Sequence, residues 1–306
     1  MRVSPVSPRQ LARCIALLIA FGCTATGPGG GSDAGSPSVS AAAAPGPRPG
    51  ELRLTQLDVG QGDAALIVTP EGKRLLIDAG PSPSQLLDEL RRRHIDTIDL
   101  VVASHAHADH IGGMAAVLTG VTVRAYMDNG VAATTATYRN TLRALERSGA
   151  RYLSATERTI SLGSLTVRVL PPSSAFHDQN NTSVGLLLEF GNFRALYTGD
   201  SELGELGWWL SGRLIPPVTV VKVAHHGSRN GTDEGWARAT HPAIALISVG
   251  RNDYGHPSIR TSETWEHAGA TVYRTDRDGT VVIDAARDGR VHVTTTRASA
   301  VTRAVP

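Results

Sequence analysis

Three imidazoles and one carboxylate fall within six consecutive positions of the chain, at His105, His107, Asp109 and His110. They directly follow an apolar run at 100–103, which is typical of a buried strand. Zinc and its borderline-soft relatives accept both ligand types, and a loop leaving a strand can aim alternate side chains at one point. His105 and His107 can therefore face one metal while Asp109 and His110 turn toward a second. A solvated polar loop is the alternative.

The rest of the sequence predicts the elements that must position this loop. Residue alternation and apolar runs predict strands at 52–57, 64–69, 73–77, 99–103, 121–127, 165–170, 183–190, 193–197, 218–223, 243–249, 271–274, 281–284 and 291–295. Helical spacing predicts helices at 84–93, 110–118, 134–148, 201–210, 233–240 and 258–268. Many strands with interspersed helices favour an α/β (α+β) fold, a four-layer αββα sandwich.

Composition divides the chain into four regions. Residues 1–23 combine arginines, a short apolar run and Cys23, which predicts a signal peptide whose end resembles a lipoprotein box. Residues 24–50 are rich in Gly, Ser, Pro and Ala and predict a flexible linker. A folded domain is predicted for 51–297, followed by a disordered tail at 298–306. The chain is therefore expected to be exported, either secreted or as a cell-surface lipoprotein anchored at Cys23.

Cysteine content and charge exclude several function classes. Both cysteines, Cys14 and Cys23, lie in the predicted signal, so the folded region has no thiol. Disulfides, cysteine nucleophiles and thiolate metal ligands are thereby excluded from that region. The formal net charge is +2, which is too small to indicate nucleic-acid binding by electrostatics alone.

Five motifs in a fixed order carry a family resemblance. They read DVGQGDA at 58–64, SHAHADHIGG at 104–113, TGD at 198–200, KVAHHGS at 222–228 and YGHPS at 254–258. Together they resemble the metallo-β-lactamase fold, and within it the hydrolase domain of ComEC-type DNA internalisation competence proteins. The resemblance covers about 52–296 and implies a metallo-β-lactamase fold hydrolase domain at 51–297.

The resemblance also implies a metal-ligand set and one or two divalent ions, zinc or manganese. His105 and His107 would bind one ion, and Asp109, His110 and His225 the other. Asp200 would bridge the two ions. Two cations about 3.5 to 4 Å apart repel strongly unless anions lie between them, so a bridging carboxylate has a physical reason.

One departure from the family pattern concerns the first ion. Related hydrolases carry a third histidine ahead of the strand that leads to the bridging aspartate, where this chain has amide side chains. Asn181 is the first candidate to complete that site, with Asn180 and His177 as alternatives. An amide oxygen is a weaker and harder ligand than imidazole, which would favour manganese or loose binding.

Further candidates would support the ligands or contact substrate. Asp78 is expected to accept the second N–H of a ligand histidine. Asp58 and Asp63 flank a glycine turn and could equally cap it. Lys222 could meet a substrate anion, although a strand-end lysine that extends to solvent is also expected. The side chain of His226 must point away from that of His225, toward packing or substrate.

The expected activity is metal-dependent hydrolysis in which a metal-activated hydroxide attacks the substrate. Such a mechanism requires no serine triad. Asp109 would position that hydroxide, and His256 would donate a proton to the leaving group or contact a phosphate, unless it is only a loop histidine held by its proline. The resemblance favours a phosphodiesterase or nuclease acting on DNA or another phosphodiester. Hydrolysis of lactams, lactones or other small carbonyl compounds is the second hypothesis, and a non-catalytic metal-binding protein the third. No protein partner is predicted.

Overall fold

The computed structural model describes residues 46–297 and, as backbone, residues 303–305. The predicted signal peptide and most of the predicted linker therefore lie outside the described residues. At its described end, the linker forms a turn in which the amide of Glu51 donates to the carbonyl of Arg48 at 2.9 Å. A search of the described residues found no helix with the length and apolarity that a membrane span requires.

The strands are β1 Leu52–Gln56, β2 Ala65–Val68, β3 Arg74–Ile77, β4 Thr97–Ile98, β5 Leu100–Val102, β6 Thr122–Val123, β7 Ala125–Asp128, β8 Arg151–Ser154, β9 Arg158–Leu162, β10 Leu165–Leu170, β11 Gly185–Phe190, β12 Phe193–Tyr197, β13 Val220–Lys222, β14 Ile244–Ile247, β15 Thr271–Arg274, β16 Val281–Ala285, β17 Val291–Thr295 and β18 Arg303–Val305. The helices are α1 Gln85–Arg92, α2 Ala108–Ile111, α3 Met114–Gly120, α4 Ala136–Ser148, α5 Leu203–Ser211, α6 Glu234–Thr240, α7 Ile259–His267 and α8 Thr275–Asp278.

These strands form two large sheets. One has the order β18-β17-β16-β1-β2-β3-β5-β7-β8, the other the order β15-β14-β13-β12-β11-β10-β9, and β4 and β6 make a short separate pair. Strands β3, β5, β7 and β8 run parallel to one another, as do β12 to β15. In the other neighbouring pairs of the large sheets the strands are antiparallel.

Apolar side chains fill three separate clusters, and these clusters define the layers. One cluster joins the facing sides of the two large sheets, including Leu54, Leu186 and Phe193. A second lies between the first sheet and α1 to α4, and a third lies between the second sheet and α5 to α7, with Trp209, Trp236 and Trp265. The predicted four-layer αββα sandwich is thereby confirmed.

Several details differ from the predicted elements, among them the short β4 and α8, which were not predicted. Strands β8 and β9 were not predicted either, because they are short, lie at sheet edges and carry mostly exposed or half-buried polar residues. The helix predicted at 110–118 is two helices, α2 and α3, separated by Gly112 and Gly113. The tail predicted to be disordered contains β18, Arg303–Val305, which pairs with β17.

The glycines between α2 and α3 allow the histidine loop to pack tightly against the turn after β3. A Cβ at Gly112 would overlap the carbonyl oxygen of Pro81, and a Cβ at Gly113 would lie 2.9 Å from the carbonyl oxygen of Ser82. Both contacts are with backbone atoms, which cannot rotate away. Gly207 in α5 offers a contrast, because it is exposed and a Cβ there would meet nothing within 4 Å.

We expect Gly112→Ala to lower the free energy of unfolding by about 2 kcal/mol or more, since overpacking against backbone forces the loop to shift. Gly207→Ala should instead raise it by about 0.5 to 1 kcal/mol, the helix-propensity difference between the two residues. Urea unfolding of both variants and of the unsubstituted protein measures whether the free energy of unfolding falls or rises. Equal effects from the two substitutions would contradict the packing described at Gly112.

Candidate metal centre

Loops that follow the carboxyl ends of parallel strands carry the candidate ligands. Strand β5 ends at Val102 and leads into the histidine loop, while β12 ends three residues before Asp200 and β13 ends three residues before His225. Neighbouring parallel strands deliver their following loops to the same sheet edge, so β12 and β13 bring their loops together. The β5 loop of the other sheet meets them there, where the amide of Val184 donates to the carbonyl of Ser104 at 2.8 Å.

The structure gathers four side chains into one cluster, which we call the central cluster: Asp109, His110, Asp200 and His226. Each offers one ligand atom, and these four atoms all lie within 4.8 Å of one another. Asp200 Oδ2 lies 3.2 Å from His110 Nε2 and 3.3 Å from His226 Nε2. Asp109 Oδ2 lies 3.2 Å from His226 Nε2. All but Asp109 are buried.

Unsatisfied polar atoms in the central cluster match what a metal ion requires. The Nε2 atoms of His110 and His226 and Oδ1 of Asp200 are buried and have no hydrogen-bonding partner of acceptable geometry among the described residues. Leaving such atoms unpaired in a protein interior costs free energy, which coordination to a cation would recover. Nitrogen and carboxylate oxygen donors suit zinc and manganese alike. The residues present therefore fit a divalent ion.

His105 and His107 lie beside the central cluster as a pair. His105 Nε2 is 2.9 Å from His107 Nδ1, and the His105 ring lies 4.2 Å from the His110 ring, centroid to centroid. Burial holds the pKa of His105 well below its ordinary value. His105 is thus a neutral imidazole with a lone pair available, as a metal ligand must be.

The structure reverses the expected roles of the two adjacent histidines. His226, expected to point away, belongs to the central cluster, while His225 Nε2 lies 3.9 Å from Asp200 Oδ2 and His225 Nδ1 lies 3.5 Å from Glu202 Oε1. Both residues have left-handed backbone conformations, with φ of 50° and 51°. This tight turn directs His226 inward and leaves His225 at the wall of the cavity above. A left-handed pair of non-glycine residues is not readable from local sequence.

The amide of Asn181, a predicted metal ligand, forms hydrogen bonds with other residues. Its Oδ1 accepts from the backbone amides of Glu202 and Glu205 at 3.1 and 3.4 Å, and its Nδ2 donates to Asp178. Asn181 therefore caps the start of α5. His177 is exposed and does not line the cavity. Asn180 does line it, and its Oδ1 is buried without a partner, so Asn180 is the amide nearest to the expected role.

Asp78 holds the histidine loop from beneath. Its Oδ1 accepts the Ser104 amide at 2.7 Å, and its Oδ2 accepts the Ser104 hydroxyl at 2.8 Å and lies 2.9 Å from His110 Nδ1. This contact fixes the orientation of the His110 ring and leaves Nε2 directed at the central cluster. Asp78 has a positive φ of 58°, a strained conformation that these bonds sustain.

Lys222 is the buried counter-ion of the site rather than a solvated strand end. Only 1% of the residue is exposed, so the expectation that it extends to solvent is wrong. Its Nζ forms an ion pair with Asp63, donates to the Gly199 carbonyl at 3.1 Å and lies 3.7 Å from Asp200 Oδ1. Burial by itself raises the pKa of Asp63, but Lys222 and His226 outweigh it and bring that pKa to about 2.

Asp58 and His256 lie further out. Asp58 accepts the Gly60 amide at 3.2 Å and forms an ion pair with Arg297, so it fastens the turn to the end of the chain's described domain. His256 lines a cavity of about 360 Å³ above the central cluster, together with Gln61, His107, Ala108, Asp109, Asn180, Asp200, His225, His226 and Tyr254. The cavity is where a substrate would reach the cluster.

Sequence reasoning missed several residues of this site. Ser104 and Ser183 flank His105, with hydroxyl oxygens 3.1 and 3.5 Å from its Nδ1. Gln61 and Tyr254 line the cavity, although both belong to motifs that the sequence singled out. Glu205 was also missed, because a glutamate in an amphipathic helix gives no signal of burial.

A family model described as the metallo-beta-lactamase superfamily matches residues 57–251. The chain belongs to this superfamily, whose members are metal-dependent hydrolases, and the expected family is confirmed.

Curated relatives include ComE operon protein 3 of Bacillus subtilis, 27% identical over 256 residues, and Recombination protein 2 of Haemophilus influenzae, 29% identical over 241 residues. Each alignment covers 76% of this chain, and 33% and 29% of those proteins respectively. Competence protein ComA of Neisseria gonorrhoeae is 28% identical and is covered to 33%. The chain thus spans about a third of the length of these relatives. The resemblance to ComEC-type competence proteins is confirmed.

Solved structures share the fold at low identity. CmlA, a diiron beta-hydroxylase from Streptomyces venezuelae, superimposes with a TM-score of 0.52 at 19% identity, covering 77% of this chain and 54% of CmlA. The metallo-beta-lactamase fold protein YhfI from Bacillus subtilis gives a TM-score of 0.52 at 12% identity, covering 77% of this chain and 100% of YhfI. These similarities support the four-layer fold and nothing finer.

We expect zinc affinity to respond differently to substitution of the two adjacent histidines. His226→Ala should weaken zinc binding by more than about 100-fold, because it removes an inward-facing ligand, whereas His225→Ala should weaken it far less. Competition with a chromogenic chelator measures both affinities. Since both positions have left-handed backbones, any strain from alanine is common to the two variants. A larger loss in His225→Ala would contradict the assignment.

Glu205 links the metal loops to α5 in a buried position. Its Oε1 accepts the Ser173 amide at 3.1 Å, and its Oε2 lies 2.8 Å from the Ser201 hydroxyl oxygen. That hydroxyl also lies 2.7 Å from the Thr198 carbonyl, to which its one hydrogen can donate. Burial outweighs these bonds and raises the pKa of Glu205 to about 8. A neutral Glu205 then donates to Ser201, which completes the chain of bonds.

The raised pKa predicts a pH-dependent stability. A carboxyl with a folded-state pKa above its unfolded value destabilises the fold as pH rises, here between about pH 4.5 and 8. We expect Glu205→Gln, which keeps the neutral hydrogen-bonding pattern, to remove this dependence and to be the more stable protein at pH 8.5. Urea unfolding of both proteins at pH 5 and pH 8.5 tests it. A stability difference that does not change with pH would contradict the neutral state of Glu205.

Proposed function

We propose that this protein is a metal-dependent phosphodiesterase that cleaves nucleic acid. The observation that carries the proposal is the central cluster, which lies at the base of an accessible cavity with Asp109 partly exposed there, 32% by side chain. Unpaired imidazole and carboxylate donors beside accessible space are what hydrolytic metal sites require. The names of the curated relatives, a competence protein and a recombination protein among them, concern nucleic-acid processing and support the choice of substrate.

Some side chains of the site would bind metal ions, and Asp109 would also orient a water molecule. His110, Asp200, His226 and Asp109 would hold one divalent ion, and His105 and His107 a second beside it. When bound, such ions polarise water and the ester and offset the charge that develops during attack. Burial raises the pKa of Asp109, but the neighbouring His226, whose Nε2 lies 3.2 Å from Asp109 Oδ2, and His110 outweigh it, so this carboxylate stays ionised. Asp109 can therefore orient a water molecule by accepting its proton in a hydrogen bond.

His256 is placed to contact the substrate from the opposite wall. Its ring lies 5.3 Å from the His225 ring, and its Nδ1 is buried without a hydrogen-bonding partner. Burial lowers the pKa of His256 below its ordinary value. A neutral imidazole carries one N–H, which suits a hydrogen bond to a phosphoryl oxygen better than the delivery of a proton. We assign His256 to the phosphate contact.

We also propose export, with lipid anchoring at Cys23, on sequence grounds. Three arginines followed by a short apolar run and Cys23 support a processed leader, and the 24–50 composition supports a tether. An exported nuclease would meet nucleic acid outside the cell. The membrane would then take part only through the lipid.

Hydrolysis by the purified protein loaded with manganese or zinc tests the activity. We expect cleavage of single-stranded DNA and of bis-p-nitrophenyl phosphate, reduced by about 10²- to 10⁴-fold in Asp109→Asn, which keeps the side-chain shape and loses the charge. A chromogenic cephalosporin assayed in parallel covers the carbonyl-hydrolase hypothesis. Phosphodiester turnover no higher than that of Asp109→Asn would reject the proposal. Stoichiometric metal without turnover on either substrate would instead favour a binding protein.

A further inference from the structure

An exposed aromatic ring stands at the cavity above the central cluster. Tyr254 lines that cavity, yet 76% of the residue is accessible to solvent. The other exposed aromatic residues of the described chain, Tyr152 and Trp208, are 48% and 39% accessible and do not line it. A ring exposed at the mouth of a substrate cavity is available for contact with a ligand, because its apolar face and polar tip suit an interface.

The backbone around Tyr254 is fixed by a single side chain. The carboxamide of Asn252 accepts the amides of Tyr254 and His256 at 3.1 Å each and donates to the carbonyls of Gly250 and His256 at 2.8 Å each. Four bonds across seven residues hold this loop in one conformation. The ring is therefore held in place before a ligand binds. The loop then loses little conformational entropy when a ligand contacts the ring.

The ring has a neighbour that relates it to the site of cleavage. The Tyr254 and His256 rings lie 5.8 Å apart, centroid to centroid, and are tilted by 35°. His256 is the residue assigned above to the phosphate contact. A flat group that covers Tyr254 would therefore belong to the part of the substrate directly attached to the bound phosphate. In a nucleic acid that group is the base of an adjoining nucleotide.

Exposed arginines precede and follow this loop in the sequence, and Asp253 is the acidic residue within it. Arg229 follows the KVAHHGS segment, Arg251 begins the loop and Arg260 follows it in α7, and all three are exposed. None of the three has an acidic partner within ion-pair distance in residues 46–297. Free guanidinium groups attract a polyanion, whose bases are then left to contact aromatic rings.

We propose that Tyr254 is the stacking platform for an unpaired nucleobase next to the phosphodiester that is cleaved. This inference rests on the proposed function and gives it a specificity: a single strand in place of a duplex. In a duplex both faces of a base are covered by its neighbours, whereas in a single strand a base can leave the stack and pack on a ring. The ring recognises the face of a base and not its edge, so every base serves and either sugar is accepted.

Binding of two matched oligomers tests the platform without turnover. A short fluorescent oligothymidylate is compared with an oligomer of the same backbone that carries abasic sugars, both in the Asp109→Asn background, by fluorescence anisotropy. We expect the base-containing oligomer to bind about tenfold more tightly. Tyr254→Ala should abolish that preference, and Tyr254→Phe should keep it, because the ring and not the hydroxyl contacts the base.

Ile259→Ala is the matched control, since Ile259 lies five residues further along, is 77% exposed and does not line the cavity. It should leave the preference unchanged. With active protein, Tyr254→Ala should raise KM for single-stranded DNA, and Tyr254→Phe should not, because the phenylalanine variant keeps the ring.

Two failures are distinguishable. If the protein hydrolyses phosphodiesters but binds the base-containing and abasic oligomers equally, or if Tyr254→Ala retains the preference, the platform is overturned and the proposed function stands. If neither phosphodiester is hydrolysed, the proposed function fails whatever the oligomers show. Loss of the preference in Ile259→Ala to the same degree as in Tyr254→Ala would also overturn the assignment.

Discussion

The structure depends on how it holds four carboxylates together in its interior. Asp63, Asp78, Asp109 and Asp200 converge on two histidines, and the ligand oxygens of Asp109 and Asp200 lie within 4.8 Å of each other. Two unit charges at that distance repel by roughly 3 kcal/mol even at an effective dielectric constant of 20. Such an arrangement persists only if cations lie among the carboxylates. The other residues of the site either carry a positive charge themselves or leave space for a cation to bind.

The protein supplies one permanent cation and leaves room for others. Lys222 is buried against Asp63 and Asp200, and its ammonium offsets charge on the side of the site away from solvent. His110 and His226 separate the carboxylates on the cavity side, where their Nε2 atoms lack hydrogen-bonding partners. The buried side is thus compensated by the chain itself, and the accessible side is suited to divalent ions. This asymmetry places the reactive chemistry where a substrate can reach it.

The packed layers of the fold keep the loops that carry the site residues in fixed positions. Apolar clusters on both faces of each large sheet fix the strands, and the loops beyond their ends inherit that rigidity. Asp78, Asn181 and Asn252 then fasten individual loops through side-chain bonds to backbone amides. The residues nearest to solvent, Tyr254 among them, remain free to define which substrate is accepted. Stability and specificity are therefore carried by different residues around one cavity.

The sequence by itself determined the family, the layered architecture and most of the elements, because apolar periodicity and five ordered motifs are local signals. It also indicated that the loop at 104–110 carries metal ligands. It did not show the edge strands β8 and β9, which are short and mostly polar and bury little apolar surface.

Only the tertiary structure decided which of two neighbouring histidines joins the central cluster. His225 and His226 are chemically identical in the sequence, and the left-handed turn after β13 directs His226 into the central cluster. The sequence likewise did not show that Lys222 is buried beside carboxylates or that the amide of Asn181 caps α5, since both contacts are with residues far along the chain. Side-chain direction and burial arise from long-range packing, and no local pattern encodes them.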